Sequence, residues 1–365
     1  MSNFLLVSAQ VWVLFALVAV GAAARWARLV DDAAVKGIVN VLILLVTPSL
    51  IIDVFQRPFE AAMLRQLGIA FTISVVAHVA VICAAMLLLR CGDMSRRPVL
   101  RLAAVFSNAG FMGIPLEQAI LGDSGVFFGI TYVVTFNLFM WSWGLWQMQK
   151  ENEELGMRTE ECGRTNEELG VRNEECTRPD SLKQCRKDPA PHSSFLISHS
   201  SFIRSHSSFL ISHSSFLVNP GTIGLAVGLG LFLTRTTLPQ ILAQPVKMMA
   251  SLNTPLAMLV IGYYLAGAKF RAVVRCRAAY GVAAVRLVAY PLAFIAALYP
   301  LRQALDRDMM LALAIAASAP VAAMVTMFSA KFARDVDLSV GLVSGTTLLS
   351  IVTMPAIIAF AMAFL

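Results

Sequence analysis

Charge is scarce in this chain: Asp, Glu, Lys and Arg make up only 14% of its 365 residues, where a water-soluble domain carries about 25%. Apolar residues reach 58%. That surplus excludes an ordinary globular protein, because so much apolar surface requires a solvent other than water. Metal-ligand spacing is absent too: none of the six cysteines and five histidines forms Cys-x-x-Cys or His-x-x-x-His. No metal and no cofactor is therefore expected. The first apolar run has no Lys or Arg before Arg25, so it lacks the basic start of a signal peptide and reads as an uncleaved helix.

The charge that is present is unevenly placed. Residues 149–217 hold nine Lys/Arg and eleven Asp/Glu, and the rest of the chain is left with a net +9 against +7 overall. A basic surplus confined to short loops between apolar runs suits a membrane protein and not a nucleic-acid surface.

Ten apolar runs are long enough to cross a bilayer: 4–23, 37–55, 67–89, 99–121, 125–147, 218–234, 240–266, 278–299, 308–330 and 338–364. Lys and Arg concentrate in the odd-numbered loops. Both termini are therefore expected outside the cytoplasmic membrane, with the long loop inside. The chain divides into a first five-helix block (1–148), a loop (149–217) and a second five-helix block (218–365).

The blocks share landmarks. Thr47-Pro48 and Thr254-Pro255 sit in runs two and seven, Pro115 and Pro320 in runs four and nine, and the spacing between the prolines agrees to within two residues. An odd number of spans per block makes the second an inverted copy of the first. Inverted repeats with interrupted helices mark secondary transporters, whose substrate sites lie near the midplane. In run four, Ser107-Asn108-Ala109-Gly110-Phe111-Met112-Gly113-Ile114-Pro115 is expected to unwind, since proline removes a helix donor and glycine loosens the backbone. Ser318-Ala319-Pro320 in run nine is its expected partner. Helix N-termini exposed at such breaks favour an anion.

At these motifs the sequence resembles the auxin efflux carrier family of permeases, which includes bacterial malonate-permease-like members. The matching pieces are Asn108 to Pro115, Pro255 to Gly262, Arg286 to Pro291, and a closing stretch from Ala330 through Asp335, Asp337 and Thr346 to Pro355. The resemblance implies an all-α integral membrane protein of ten transmembrane helices in two inverted five-helix repeats. In this sodium/bile-acid-symporter-like architecture, broken helices four and nine cross, and helices one, two, six and seven support a moving bundle. It also implies a small organic anion as substrate, with Asn108, Pro115 and Pro320 at the site.

Other polar residues in the apolar runs join the candidates, because an intramembrane ionisable group is costly and usually serves a pathway or a partner. Arg286 could pair a carboxylate or reach toward the cytoplasm. His78 and Glu117 are candidates for coupling, with a proton or sodium as the coupled ion. Asn253, Asn137, Ser318 and Thr346 could bind substrate or bridge helices, and Gly110 and Gly113 would loosen the break. A homodimer is an open expectation; the bilayer is the expected environment. An enzyme is not expected, because no acid cluster or Ser/His pair lies in the spans. A ligand sensor or channel using the same pocket is the alternative.

The loop departs from the resemblance. Residues 152–179 (NEELGMR, TEECGRT, NEELGVR, NEECTRP) and 192–219 (HSSFLIS, HSSFIRS, HSSFLIS, HSSFLVN) are each four seven-residue units without a coiled-coil seam. His-Ser-Ser-Phe-Leu can be encoded by CAT TCC TCA TTC CTN, whose reverse complement contains AGG AAT GAG GAA TG, the start of Arg-Asn-Glu-Glu-Cys, the sequence found at 172–176. We read both blocks as one DNA repeat on opposite strands; gene codons that do not form an inverted repeat would sink that idea. His192, His199, His206 and His213 then mark the repeat and not a metal site.

Overall fold

The computed structural model describes residues 2–90, 95–149, 220–267, 271–274 and 276–365. The repeat loop, with its histidines and Cys162, Cys176 and Cys185, lies outside the described residues, as does Cys91. Among the described residues the chain is all helix, with one isolated two-residue bridge and no strand.

The first part comprises α1 (Ser2–Trp26), α2 (Asp32–Val41), α3 (Thr47–Val54), α4 (Ala61–Leu88), α5 (Arg97–Val105) and α6 (Ile114–Phe139). After the loop come α7 (Pro220–Leu233), α8 (Gln240–Ser251), α9 (Asn253–Ala266), α10 (Arg271–Val274), α11 (Arg277–Ala284), α12 (Tyr290–Leu298), α13 (Arg307–Ser318), α14 (Met324–Lys331) and α15 (Val336–Phe364). Three starts are set by acidic caps: Asp31, Asp306 and Asp335 accept from the backbone N–H of Ala34, Met309 and Leu338 at 2.7, 3.0 and 2.9 Å. Each thereby satisfies an amide that helix geometry leaves open.

Six helical stretches are long and apolar enough to cross a membrane: Asp32–Val54, Ala61–Leu88, Ala109–Gln149, Gln240–Ala266, Arg277–Leu301 and Val336–Phe364, with Trp12–Trp26 and Pro220–Leu233 shorter. These are the stretches among the described residues, and interruptions explain part of the difference from the ten runs read in the sequence. Run nine is split into α13 and α14, and run four into α5 and a segment starting at Ala109. The long stretch Ala109–Gln149 contains a sharp turn at Gly122, whose φ of +65° and ψ of −151° suit only glycine; that turn falls between the expected runs four and five. Large apolar side chains face outward, with Ile241 81% and Val352 74% exposed, as lipid-facing positions should be.

Prolines do something other than the expected breaking. Pro48, Pro115 and Pro291 each stand two residues after a π turn, at Leu42–Val46, Ala109–Gly113 and Val285–Ala289. A proline ring clashes with the carbonyl four residues back and offers no N–H to it. Widening the preceding turn by one residue relieves the clash while keeping the helix going. Of the pair matched by spacing, Pro320 lies within an interruption, whereas Pro115 heads α6, where its fixed φ suits the first turn. The extended residues in the first block are upstream, at Phe106, whose φ and ψ are −98° and 117°. Asn108-to-Pro115 therefore does not unwind as a whole, and Pro115 is not the structural counterpart of Pro320.

Glycines let two helix pairs approach backbone to backbone. A Cβ on Gly21 would strike the Leu259 backbone, and one on Gly262 would strike Val18, so α1 and α9 are in reciprocal contact. In the same way Gly224 and Gly228 of α7 lie on Pro48 and Ile51 of α3. The other extensive packing is α6 on α13 and on α4.

Candidate functional site

The two interruptions meet. Residues Ser107 and Val321 form an antiparallel bridge. Asn108 N donates to Pro320 O at 2.7 Å, and Ala322 N donates to Phe106 O at 3.0 Å. Val321 N is taken by the Thr346 hydroxyl of α15 at 3.1 Å, and that hydroxyl in turn donates to Leu342 O. Backbone groups freed by both breaks are thus paired with each other, which is what allows irregular chain at membrane depth.

Four helix ends converge here: the C-termini of α5 and α13, and the N-termini of α14 and of the π turn leading into α6. The carbonyl ends are held by Arg286. Its side chain is fully buried. Its Nε donates to Ala319 O at 3.2 Å, Nη1 to Val105 O at 3.4 Å and Nη2 to Ala317 O at 2.6 Å. One guanidinium therefore bonds carbonyls at both C-termini, where helix dipoles concentrate negative partial charge. It also lies 4.8 Å from the centre of the Tyr290 ring.

The amide ends have no comparable partner. Neither Asn108 nor Ala323 caps its helix with a side chain. The Asn108 side chain, 7% exposed, makes no hydrogen bond among the described residues. The Ser107 hydroxyl is buried and has no partner. A Cβ on Gly110 would meet nothing within 4 Å, so this turn faces open space, whereas Gly113 lies 3.5 Å from Ala316 of α13. Carbonyl ends neutralised and amide ends open leave an uncompensated positive pole, suited to an anion.

Other expected residues are distributed around this centre. Ser318 spends its hydroxyl on Ile315 O at 2.8 Å, and Asn137 its amide on Val133 O at 2.9 Å, both within their own helices. Asn253 is buried with its amide nitrogen unpartnered, and α9, which it starts, touches the π turn Ala109–Gly113. His78 is fully buried. Its Nδ1 lies 2.8 Å from Ser74 O, its ring stacks on Phe139 at 5.7 Å, and Tyr132 is 4.7 Å away. Tyr132 and Tyr290 share a hydroxyl hydrogen bond of 3.1 Å. Glu117 is completely buried and both carboxyl oxygens lack a partner. Among the described residues no group of three or more His, Cys, Asp or Glu could hold a metal.

Sequence reading missed Ser107, Tyr132 and Tyr290. Tyr290 carried a signal, since it stands one helical turn beyond Arg286; Tyr132 carried none, because only tertiary packing brings it to Tyr290.

No individual curated protein matches the sequence. A family model described as membrane transport protein matches residues 6–358. With interrupted helices meeting inside an apolar multi-span body, that match means the chain belongs to the auxin efflux carrier family of membrane transport proteins.

Proposed function

We propose that this transporter is a secondary active carrier of a small organic anion, a mono- or dicarboxylate, with its site at the paired interruptions. The observation that carries the reading is the convergence of two helix N-termini without side-chain caps, at Asn108 and Ala323, with the Ser107 hydroxyl, which has no partner among the described residues. A carboxylate taken up there gains from each helix terminus about 0.3–1 kcal/mol, and up to about 2 where the site is partly buried. Asn108 and Ser107 donate to it, Gly110 leaves room for it, and Asn253 supplies a further amide. Arg286 adds positive charge while bracing the carbonyl ends.

The architecture in this reading is ten spans in two inverted repeats, 1–148 and 218–365, joined by the 149–217 loop. Both termini lie outside the cytoplasmic membrane and the loop lies in the cytoplasm. The glycine-mediated pairs α1 with α9 and α3 with α7 support a rigid scaffold made of the first, second, sixth and seventh spans. The interrupted helices belong to the bundle that moves against it, giving alternating access.

The test is uptake of radiolabelled mono- and dicarboxylates into proteoliposomes. Saturable flux in wild type, lost in Asn108→Ala with folding intact, supports the assignment. Wild-type flux in that variant refutes the site, and stabilisation by a carboxylate without flux identifies a sensor instead.

A further inference from the structure

Glu117 stands apart from every other ionisable residue in the body. It is fully buried and neither carboxyl oxygen has a partner among the described residues, a setting that strongly disfavours the charged form. Several other buried polar groups, Ser74, Thr131, Thr135 and Ser318 among them, bond a carbonyl of their own helix.

Its surroundings are shaped for a carboxyl group. Gly122 turns the chain back on itself, so the residues after it run alongside those before it. A Cβ on Gly129 would land on the Glu117 carboxyl, and one on Gly125 would lie 3.0 Å from the Glu117 carbonyl oxygen. On the other side, Glu117 Oε1 is 3.7 Å from where a Gly113 Cβ would sit. Gly113 and Gly129 thus flank a slot filled by the carboxyl, and Gly125 lets the chain approach the Glu117 backbone.

Among the described residues no ion pair to Glu117 is formed. On the helices packed against α6, Arg25 bonds Tyr263 O, Tyr263 bonds Asp32, His78 contacts Ser74 O, and Arg307 bonds Met362 O. Asp53, Arg65, Tyr264 and Asp308 are further titratable groups on those helices. On α6 itself, Asp123 accepts from Gln118, and Tyr132 pairs with Tyr290. A sodium ion would need several oxygen ligands, and the slot is walled by glycine. A proton needs only the carboxyl.

We infer that Glu117 is the proton site of the carrier, protonated while buried in this slot and exchanging that proton with water as access alternates, so that one proton accompanies each anion. The inference rests on the carrier reading above. On the open side the Glu117 O–H bond breaks and water takes the proton, leaving a solvated carboxylate; reprotonation on the other side reverses the step. The anion is coupled through distance: Glu117 is eight residues along from Ala109, about 12 Å at helical rise. An ionised Glu117 would weaken binding of a monoanion there roughly tenfold, and linkage makes bound anion favour the protonated form equally.

Two measurements on the full-length purified protein decide it. Infrared spectra in H2O and D2O should show a buried carboxylic-acid C=O band that Glu117→Gln removes and Gly129→Ala shifts. Proteoliposomes given radiolabelled malonate, succinate or lactate, with the membrane potential clamped at zero, should accumulate anion with the pH gradient, about tenfold per pH unit for one proton. Glu117→Gln should lose that dependence while keeping anion exchange. A variant that still follows the pH gradient overturns the assignment, as does the absence of the band or a band unmoved by Gly129→Ala. Wild type that carries none of the three acids refutes the carrier reading, and the coupling with it, whereas a missing band refutes the proton alone.

Discussion

Replacing Arg286 by Met removes the one side chain that joins the carbonyl ends of α5 and α13. Three acceptors lose their donor: Val105 O, Ala317 O and Ala319 O. Leaving a buried acceptor unsatisfied costs about 1–3 kcal/mol, so the gross loss is about 3–9 kcal/mol. Part is offset because a guanidinium no longer has to be desolvated. The net cost falls near the roughly 3–5 kcal/mol typical of breaking a buried charge network. Arg286→Lys should sit between the two, since a compact ammonium keeps the charge but cannot span both helix ends. The assay is thermal unfolding of purified protein in detergent, run beside uptake in proteoliposomes. Bracing predicts that Met and Lys variants both melt earlier and lose flux together. Direct pairing with the substrate predicts instead a raised KM in the Lys variant with an unchanged melting temperature. A Met variant as stable as wild type would refute the bracing argument.

Gly262→Ala inserts a methyl into the Val18 backbone across the α1 and α9 contact, and should cost about 1–3 kcal/mol, read as an earlier melt. Asp335→Ala removes the cap on Leu338 N and an ion pair to Arg96 of 2.9 Å. The cap is worth about 1 kcal/mol and the partly exposed pair less, so a melting change that vanishes at high salt would mean the pair, not the cap, carries it. Deleting residues 152–217 and closing the gap with a Gly/Ser linker should leave uptake unchanged; loss of flux in a correctly inserted protein would give the repeat loop a role.

Much of the site could be read from residue order alone. The Asn-x-Gly-Phe-x-Gly-Ile-Pro segment located the first interruption because an amide, two glycines and a proline within eight residues weaken a helix in a hydrocarbon span. Pro320 located the second. What misled was reading the segment up to Pro115 as unwound in the same way as the chain at Pro320. Pro115 looks equivalent to Pro320 in spacing, yet one heads a helix behind a π turn and the other lies in extended chain. A proline's effect depends on whether the preceding turn can widen, and that is not encoded in its position. Arg286 was visible as a costly cation, but whether it faced substrate, lipid headgroups or backbone depended on where two distant helix ends came to rest.

Composition and periodicity by themselves determined that this chain lives in a membrane, is helical, and interrupts its helices at two places: these follow from hydropathy, length and the chemistry of single residues. Tertiary structure decided which groups are satisfied. It paired the two breaks through Asn108 and Pro320, gave the carbonyl ends to Arg286, and left the Ser107 hydroxyl and the Glu117 carboxyl without partners. Satisfaction of a buried polar group is a property of its neighbours in space, and those neighbours, 180 or more residues apart for Arg286 and Val105, are brought together only by the fold.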